Sequence, residues 1–323
     1  MNLEENPFEY VMNNCMENII KNILVIYDST TECFLDMIKV AGIASKKNIN
    51  FVEIKAGECH GIEPDSYVLN QMMKSELVMC ITKYSLAHTL ARKKITEMRI
   101  PFLSMPDYDW RMLKNQAHFV DYRKKYLSVK KYADILSNGS EIRIFSEIGT
   151  DLKINIKGRQ GNCCPGMVND EYLLGSPPDI EANVAPIEDK STGILVIDGS
   201  ITDSKIGLLD SPMKLKICNG KIIDFTSQNY QNVKIIRQIF DNVKSDKAYY
   251  IGEFGIGFND LGMICGNMLV DEGTKGCIHF GMGSNWTIGG ENKVSFHLDF
   301  VMKEATVFVD NVKIIERGGL IYE

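Results

Sequence analysis

The chain has 323 residues, 45% apolar and 24% charged, with a formal net charge of −6. That length exceeds the roughly 250–300 residues at which one hydrophobic core stops growing, so two domains are expected. The acidic balance offers no excess of cations to phosphates or to an anionic bilayer, which argues against nucleic acid and membrane partners and leaves small or peptidic ligands.

The opening stretch MNLEENPFEYVMNN has no basic region followed by an apolar run, and no later segment approaches the roughly 20 apolar residues that span a bilayer, so a cytoplasmic protein is expected. The spacing predicts a first helix from Asn6 to Ile20. NILVIYDS then reads as a buried parallel strand, and TTECFLDMIKVAGIASKKN as a helix with Phe34, Met37, Ile38 and Ala41 on one stripe. FVEIK, LVMCIT and IPFLSM are further short strands separated by segments of helix length, the pattern of βαβ units around a mainly parallel sheet. The first strand ends at Asp28-Ser29-Thr30-Thr31, without the glycines that let a backbone approach a pyrophosphate, so no dinucleotide site is expected there.

The polar stretch from Asp107 to Ser137 reads as helix and stops at Asn138-Gly139. There the texture changes, which sets the expected organisation: an α/β domain over 1–140 and an α+β, strand-rich domain over 141–323. EIRIFSE, DLKINIKG and ILVIDGS are strands, and LKICNGKIIDF is a hairpin, because Asn219-Gly220 suits a type I′ turn with two positive φ angles. QNVKIIRQIFDNVK is the one clear helix. AYYIGEF, KGCIHFGMG, KVSFHLDFVM, ATVFVD and KIIER return to strands. The nine cysteines form no C-x-x-C pair, and adjacent Cys163 and Cys164 would diverge on an extended strand, so free thiols are expected and not a zinc knuckle.

Five histidines are present. His60, His88 and His118 are isolated, and for such residues a satisfied core or surface role outweighs ligation. His297 and Asp299 differ: two apart on a strand, they project from the same face, placing two divalent-metal ligands in one pocket. His279 enters a glycine-rich loop, and glycines recur in GEFGIGFN, HFGMG and IGGEN, where a site needs close backbone approach. Glu253 opens the first of these segments. Two histidines and a carboxylate suit a mononuclear iron triad or half of a two-metal hydrolytic site.

GEFGIGFN, DEGTKGCIHFGMGSN, GGENKVSFHLDFVM and ATVFVDNVKII, in that order, resemble the C-terminal pattern of the aminopeptidase T type of metallopeptidase and its shorter relatives. Upstream, TKYSLAHTLARKKITEMRIPFLSMPDY is similar to that family's serine-x-x-histidine-threonine segment, and GTDLKINIKGR to the strand that opens its second domain. The resemblance implies five metal ligands: Glu253, His279, His297, Asp299 and, from PPDIEANVAP, Glu181. It also implies Glu272 as the catalytic glutamate and brings in His88 and Trp286 as catalytic candidates, Trp286 standing nearest the place of an assisting tyrosine that an indole cannot replace. Zinc, cobalt or manganese, two ions together, would serve peptide hydrolysis, and family members usually pair as homodimers. The same scaffold resembles the iron(II)-dependent dioxygenases that open dihydroxypyridine rings, which need only two histidines and one carboxylate. The expected function is thus a metal-dependent aminopeptidase-like hydrolase. A mononuclear ring-opening dioxygenase is the alternative, and a repurposed binding protein in a biosynthetic pathway is the third.

Overall fold

The computed structural model describes residues 5–323. The chain divides into a first unit, running to Lys124 and including Cys164–Asp179, and a second unit of Lys125–Cys163 with Ile180–Glu323.

The first unit is built on a five-stranded sheet in the order Asn48–Glu53, Asn22–Tyr27, Leu77–Ile81, Phe102–Ser104, Leu174–Gly175, and every pairing is parallel. The central strand Leu77–Ile81 is buried at every position, as a sheet covered on both faces requires. Leu24, Ile26, Val78 and Phe102 meet Val68 and Met72 of the helix Ser66–Met72 in its core.

Two helices differ from the sequence expectation. The first spans Pro7–Asn14, capped by the Asn6 side chain on Phe8 N, and stops at Cys15, whose carbonyl accepts from Val168 N instead of continuing the helix towards Ile20. The stretch expected to be helical from Asp107 to Ser137 is three pieces, Trp110–Leu113, a 3-10 turn at Gln116–Phe119, and Tyr122–Asn138. Asp109, Asn115 and Asp121 each accept from a backbone N–H two or three residues ahead, so each starts a new helical N-terminus. His118 therefore sits in the 3-10 turn and is fully buried, not on a long helix.

Packing also draws the division elsewhere than residue 140. The helix Tyr122–Asn138 is bound into the second unit through Tyr132, whose hydroxyl donates to Ile314 O and accepts from Ile321 N and Tyr322 N, and whose ring meets Phe258 edge-on at 5.1 Å. Residues 164–179 then return to the first unit and add Leu174–Gly175 to its sheet.

The second unit holds two sheets. One has eight strands in the order Lys221–Ser227, Met213–Cys218, Thr192–Ile197, Asp151–Asn155, Glu141–Phe145, Thr306–Val309, Val312–Glu316, Gly319–Leu320, all antiparallel. The hairpin turn has Asn219 at φ 49° and Gly220 at φ 75°, the two positive angles that the Asn-Gly pair supplies. The other has seven strands in the order Gly207–Leu208, Ser200–Ile201, His297–Met302, Ile278–Gly283, Phe254–Gly257, Glu181–Val184, Gly161–Cys164. AYYIGEF is only partly strand: Asp246–Tyr249 is a 3-10 turn started by Ser245 on Lys247 N, Tyr250 and Ile251 make isolated bridges to Lys221 and Met282, and the strand proper starts at Phe254. The helix Tyr230–Val243 buries Ile236 and Phe240, and Phe240 packs against Phe296 and Phe300 on the far face of the His297 strand. Among the described residues no helix is long and apolar enough to cross a membrane.

Candidate metal centre

Four neighbouring strands of the seven-stranded sheet present one face that alternates acid or imidazole with glycine. In the antiparallel register Glu181 stands opposite Gly257, Asn183 opposite Gly255, Gly255 opposite His279, Gly281 opposite Asp299, and Gly283 opposite His297. Glu253 exchanges backbone hydrogen bonds with Gly281, which places it on the same face. The reverse face carries Leu298, Phe300 and Met302, all buried, so the apolar alternation that drives these strands together also aims the polar set one way.

Two glycines make room for the rings. A Cβ at Gly255 would stand 2.0 Å from His279 Cε1, and one at Gly281 would stand 2.5 Å from His297 Cε1. Each imidazole thus lies flat across a glycine of the next strand. With the rings so placed, His279 Nε2 is 3.0 Å from Glu181 Oε2, while His297 Nε2 is 2.9 Å from Asp299 Oδ1 and 3.4 Å from Glu253 Oε2.

Two groups of ligand atoms include a histidine, Glu181 with Glu253 and His279, and Glu253 with His297 and Asp299, each within 4.8 Å of one another. Glu253 belongs to both. The first group is buried throughout, whereas the His297 side chain is 35% exposed and opens the second group to solvent. Glu272, following the short helix Met268–Asp271, is also buried and lies within 4.8 Å of Glu181. Four buried carboxylates in one pocket cannot stay ionised together without cations. Burial, and then the Glu181 charge, raises the Glu253 carboxyl above its ordinary range. Burial works to lower the His279 imidazole, but Glu181 outweighs it and pushes it up to about 9. Burial works to raise Asp299, and His297 outweighs it and holds the carboxyl below the usual range.

The donor set fits divalent cations. His279 Nδ1 is buried without a hydrogen-bond partner, Glu181 Oε2 is buried against the His279 ring, the imidazoles and carboxylates are the nitrogen and oxygen ligands of zinc, manganese or iron, and the glycine cradles leave no room for a side chain beneath either imidazole.

Six of the eight residues singled out from the sequence therefore come together: Glu181, Glu253, Glu272, His279, His297 and Asp299. Trp286, on the turn Trp286–Ile288, is not among them. It is 56% exposed, with Lys293 Nζ 5.3 Å over its ring. His88 lies exposed in the first unit, just ahead of the helix Leu90–Glu97. Sequence reasoning passed over Asn183, whose Nδ2 donates to Glu181 Oε1 at 2.7 Å. The signal was present, since Asn183 follows Glu181 by two on a strand, the same spacing that singled out His297 and Asp299.

Residues 30–322 match the family model described as NicX: 2,5-dihydroxypyridine 5,6-dioxygenase. The chain belongs to this family. Its members are enzymes, and so is this protein. Among solved structures, the chain is similar to the 2,5-dihydroxypyridine dioxygenase from Pseudomonas putida KT2440, at 16% identity and a TM-score of 0.78, covering 98% of this chain and 96% of that one. It is also similar to wild-type AmpT from Thermus thermophilus, at 12% identity and a TM-score of 0.71, covering 99% and 100%. Those TM-scores show a shared fold. No curated protein matches the chain by sequence.

Proposed function

We propose that the chain is a metal-dependent hydrolase of the aminopeptidase T kind, acting on the N-terminal end of peptides. The observation that carries this reading is that Glu253 is common to both histidine-containing ligand groups, so that one carboxylate would serve two ions. Glu181, Glu253 and His279 would hold an inner ion, and Glu253, His297 and Asp299 an outer one. When bound, such ions supply Lewis acidity, lowering the pKa of water and polarising a carbonyl. Glu272 receives the proton of the attacking water and returns it to the leaving amine, a role for which its buried place beside Glu181 suits it. The partly exposed His297 marks the side from which substrate arrives.

A second reading, the mononuclear iron(II) dioxygenase, is favoured by the family match over residues 30–322. It requires two histidines and one carboxylate, His279, His297 and Asp299, on one ion and leaves Glu181 and Glu253 without a role. Plasma mass spectrometry of the purified protein, together with assays on amino-acyl anilides and on 2,5-dihydroxypyridine under oxygen, separates the two. Two zinc, cobalt or manganese ions per chain and amine release are expected. One iron with oxygen uptake would overturn the hydrolase reading in favour of the second.

A further inference from the structure

Two asparagines stand in line behind the Glu181 carboxylate. Asn183 Nδ2 donates to Glu181 Oε1 at 2.7 Å, Asn162 Nδ2 donates to Asn183 Oδ1 at 2.8 Å, and Asn162 Nδ2 also reaches Ile288 O at 3.2 Å. Both ends of this line accept: a carboxylate oxygen on one side and a backbone carbonyl on the other. The direction of each amide is therefore dictated, with Asn183 presenting its NH₂ to Glu181 and its oxygen to Asn162. Asn183 is 3% exposed, so water does not compete for these bonds.

A neutral amide neither carries a proton at this site nor supplies charge. What it does is choose an oxygen. With Oε1 engaged by Asn183 and Oε2 turned to the His279 ring at 3.0 Å, the carboxylate has a single oxygen on the ligand side to give an ion, and its plane is held by a partner that is itself anchored. The anchor is firm, because the segment after Ile288 is tied down: Arg159 Nη1 donates to Gly289 O at 2.6 Å, and Glu188 accepts from Glu291 N at 2.7 Å.

We propose that Asn183, oriented by Asn162, is a positioning residue that makes Glu181 a one-oxygen ligand and thereby sets the affinity of the inner ion, an inference that rests on the two-ion reading above. Outer partners that orient a ligating group typically change metal affinity by about 10–100-fold when removed.

The test is calorimetric titration of the metal-free full-length chain with Co²⁺, for the wild type, Asn183→Leu, Asn162→Ala and the double variant. Asn183→Leu keeps the volume and removes the donor, and it is expected to weaken one of two ions about 10–100-fold while the other is unchanged. Asn162→Ala weakens the same ion by less. In the double variant it adds nothing, because it acts only through Asn183. A residue that merely props up the strand would instead weaken both ions, or give effects that add in full, and either result overturns the proposal. So does an Asn183→Leu chain that is folded by circular dichroism and binds both ions as the wild type does. Should Asn183→Leu fail to fold, the half-buried Asn162→Ala decides, and an unchanged Co²⁺ isotherm there refutes the role. A wild type that takes one ion removes the two-ion reading by itself; the positioning role then holds if Asn183→Leu weakens that ion and falls if it does not.

Discussion

His297 is the residue on which the outer ligand group depends. It supplies the only imidazole there, and Glu253 and Asp299 alone are a poor set for a borderline metal. His297→Ala is expected to lower the metal content by one ion per chain and to abolish turnover, with an unchanged circular dichroism spectrum, because the partly exposed ring contributes little to the core. Full metal occupancy in this variant would refute the site. His118 behaves in the opposite way: it belongs to the core and to no ligand group. Burial, only partly offset by a hydrogen bond with the Asn115 backbone, lowers its pKa from 6.5 to about 4. Between those values the unfolded chain binds a proton that the folded chain refuses, so stability falls as pH drops from about 6.5 through 4. Urea midpoints measured across that range should decline, and His118→Phe, which keeps a ring without the titrating nitrogens, should flatten the decline.

At the scale of the element, the site is a property of strand pairing. His297 and Asp299 were legible as a pair because two residues apart on a strand means one face. The glycines of FGIG and HFGMG were legible as sites of close approach, but their partners were not, since the register that lays His279 over Gly255 and His297 over Gly281 joins strands through hydrogen bonds that no single segment encodes. The two cradles differ in tolerance. His279 is 1% exposed and has nowhere to move, whereas His297 can swing towards solvent. Gly255→Ala should therefore cost the inner ion and destabilise the fold, and Gly281→Ala should weaken the outer ion above all. Thermal melts and metal counts for the two variants would check this order, and equal effects would contradict it.

Across the whole molecule, the ions are expected to stabilise the second unit that binds them. Four carboxylates gathered in one buried pocket repel one another when the cations are removed. Chelation should accordingly lower the thermal midpoint seen by scanning calorimetry, and restoring an ion at a hundred times its dissociation constant should return about 2.7 kcal/mol per site. An unchanged midpoint after complete metal removal would mean that the pocket does not bind metal in the folded chain.

Local information settled much of this protein. Apolar runs with parallel-strand texture, the Asn219-Gly220 turn, the H-x-D spacing and the glycine-rich segments are each written within a few consecutive residues, where propensity and periodicity act directly. The breaks at Asp109, Asn115 and Asp121 went unread because a capping side chain and a solvated one look alike until the backbone N–H it serves is known. Placing helix Tyr122–Asn138 with the second unit required the Tyr132 contacts, nearly two hundred residues away in sequence. The same holds for Glu181: its nearness to His279 comes from a strand order that skips from Glu181–Val184 to Phe254–Gly257, and only tertiary pairing, which satisfies backbone groups across the whole sheet at once, decides such an order.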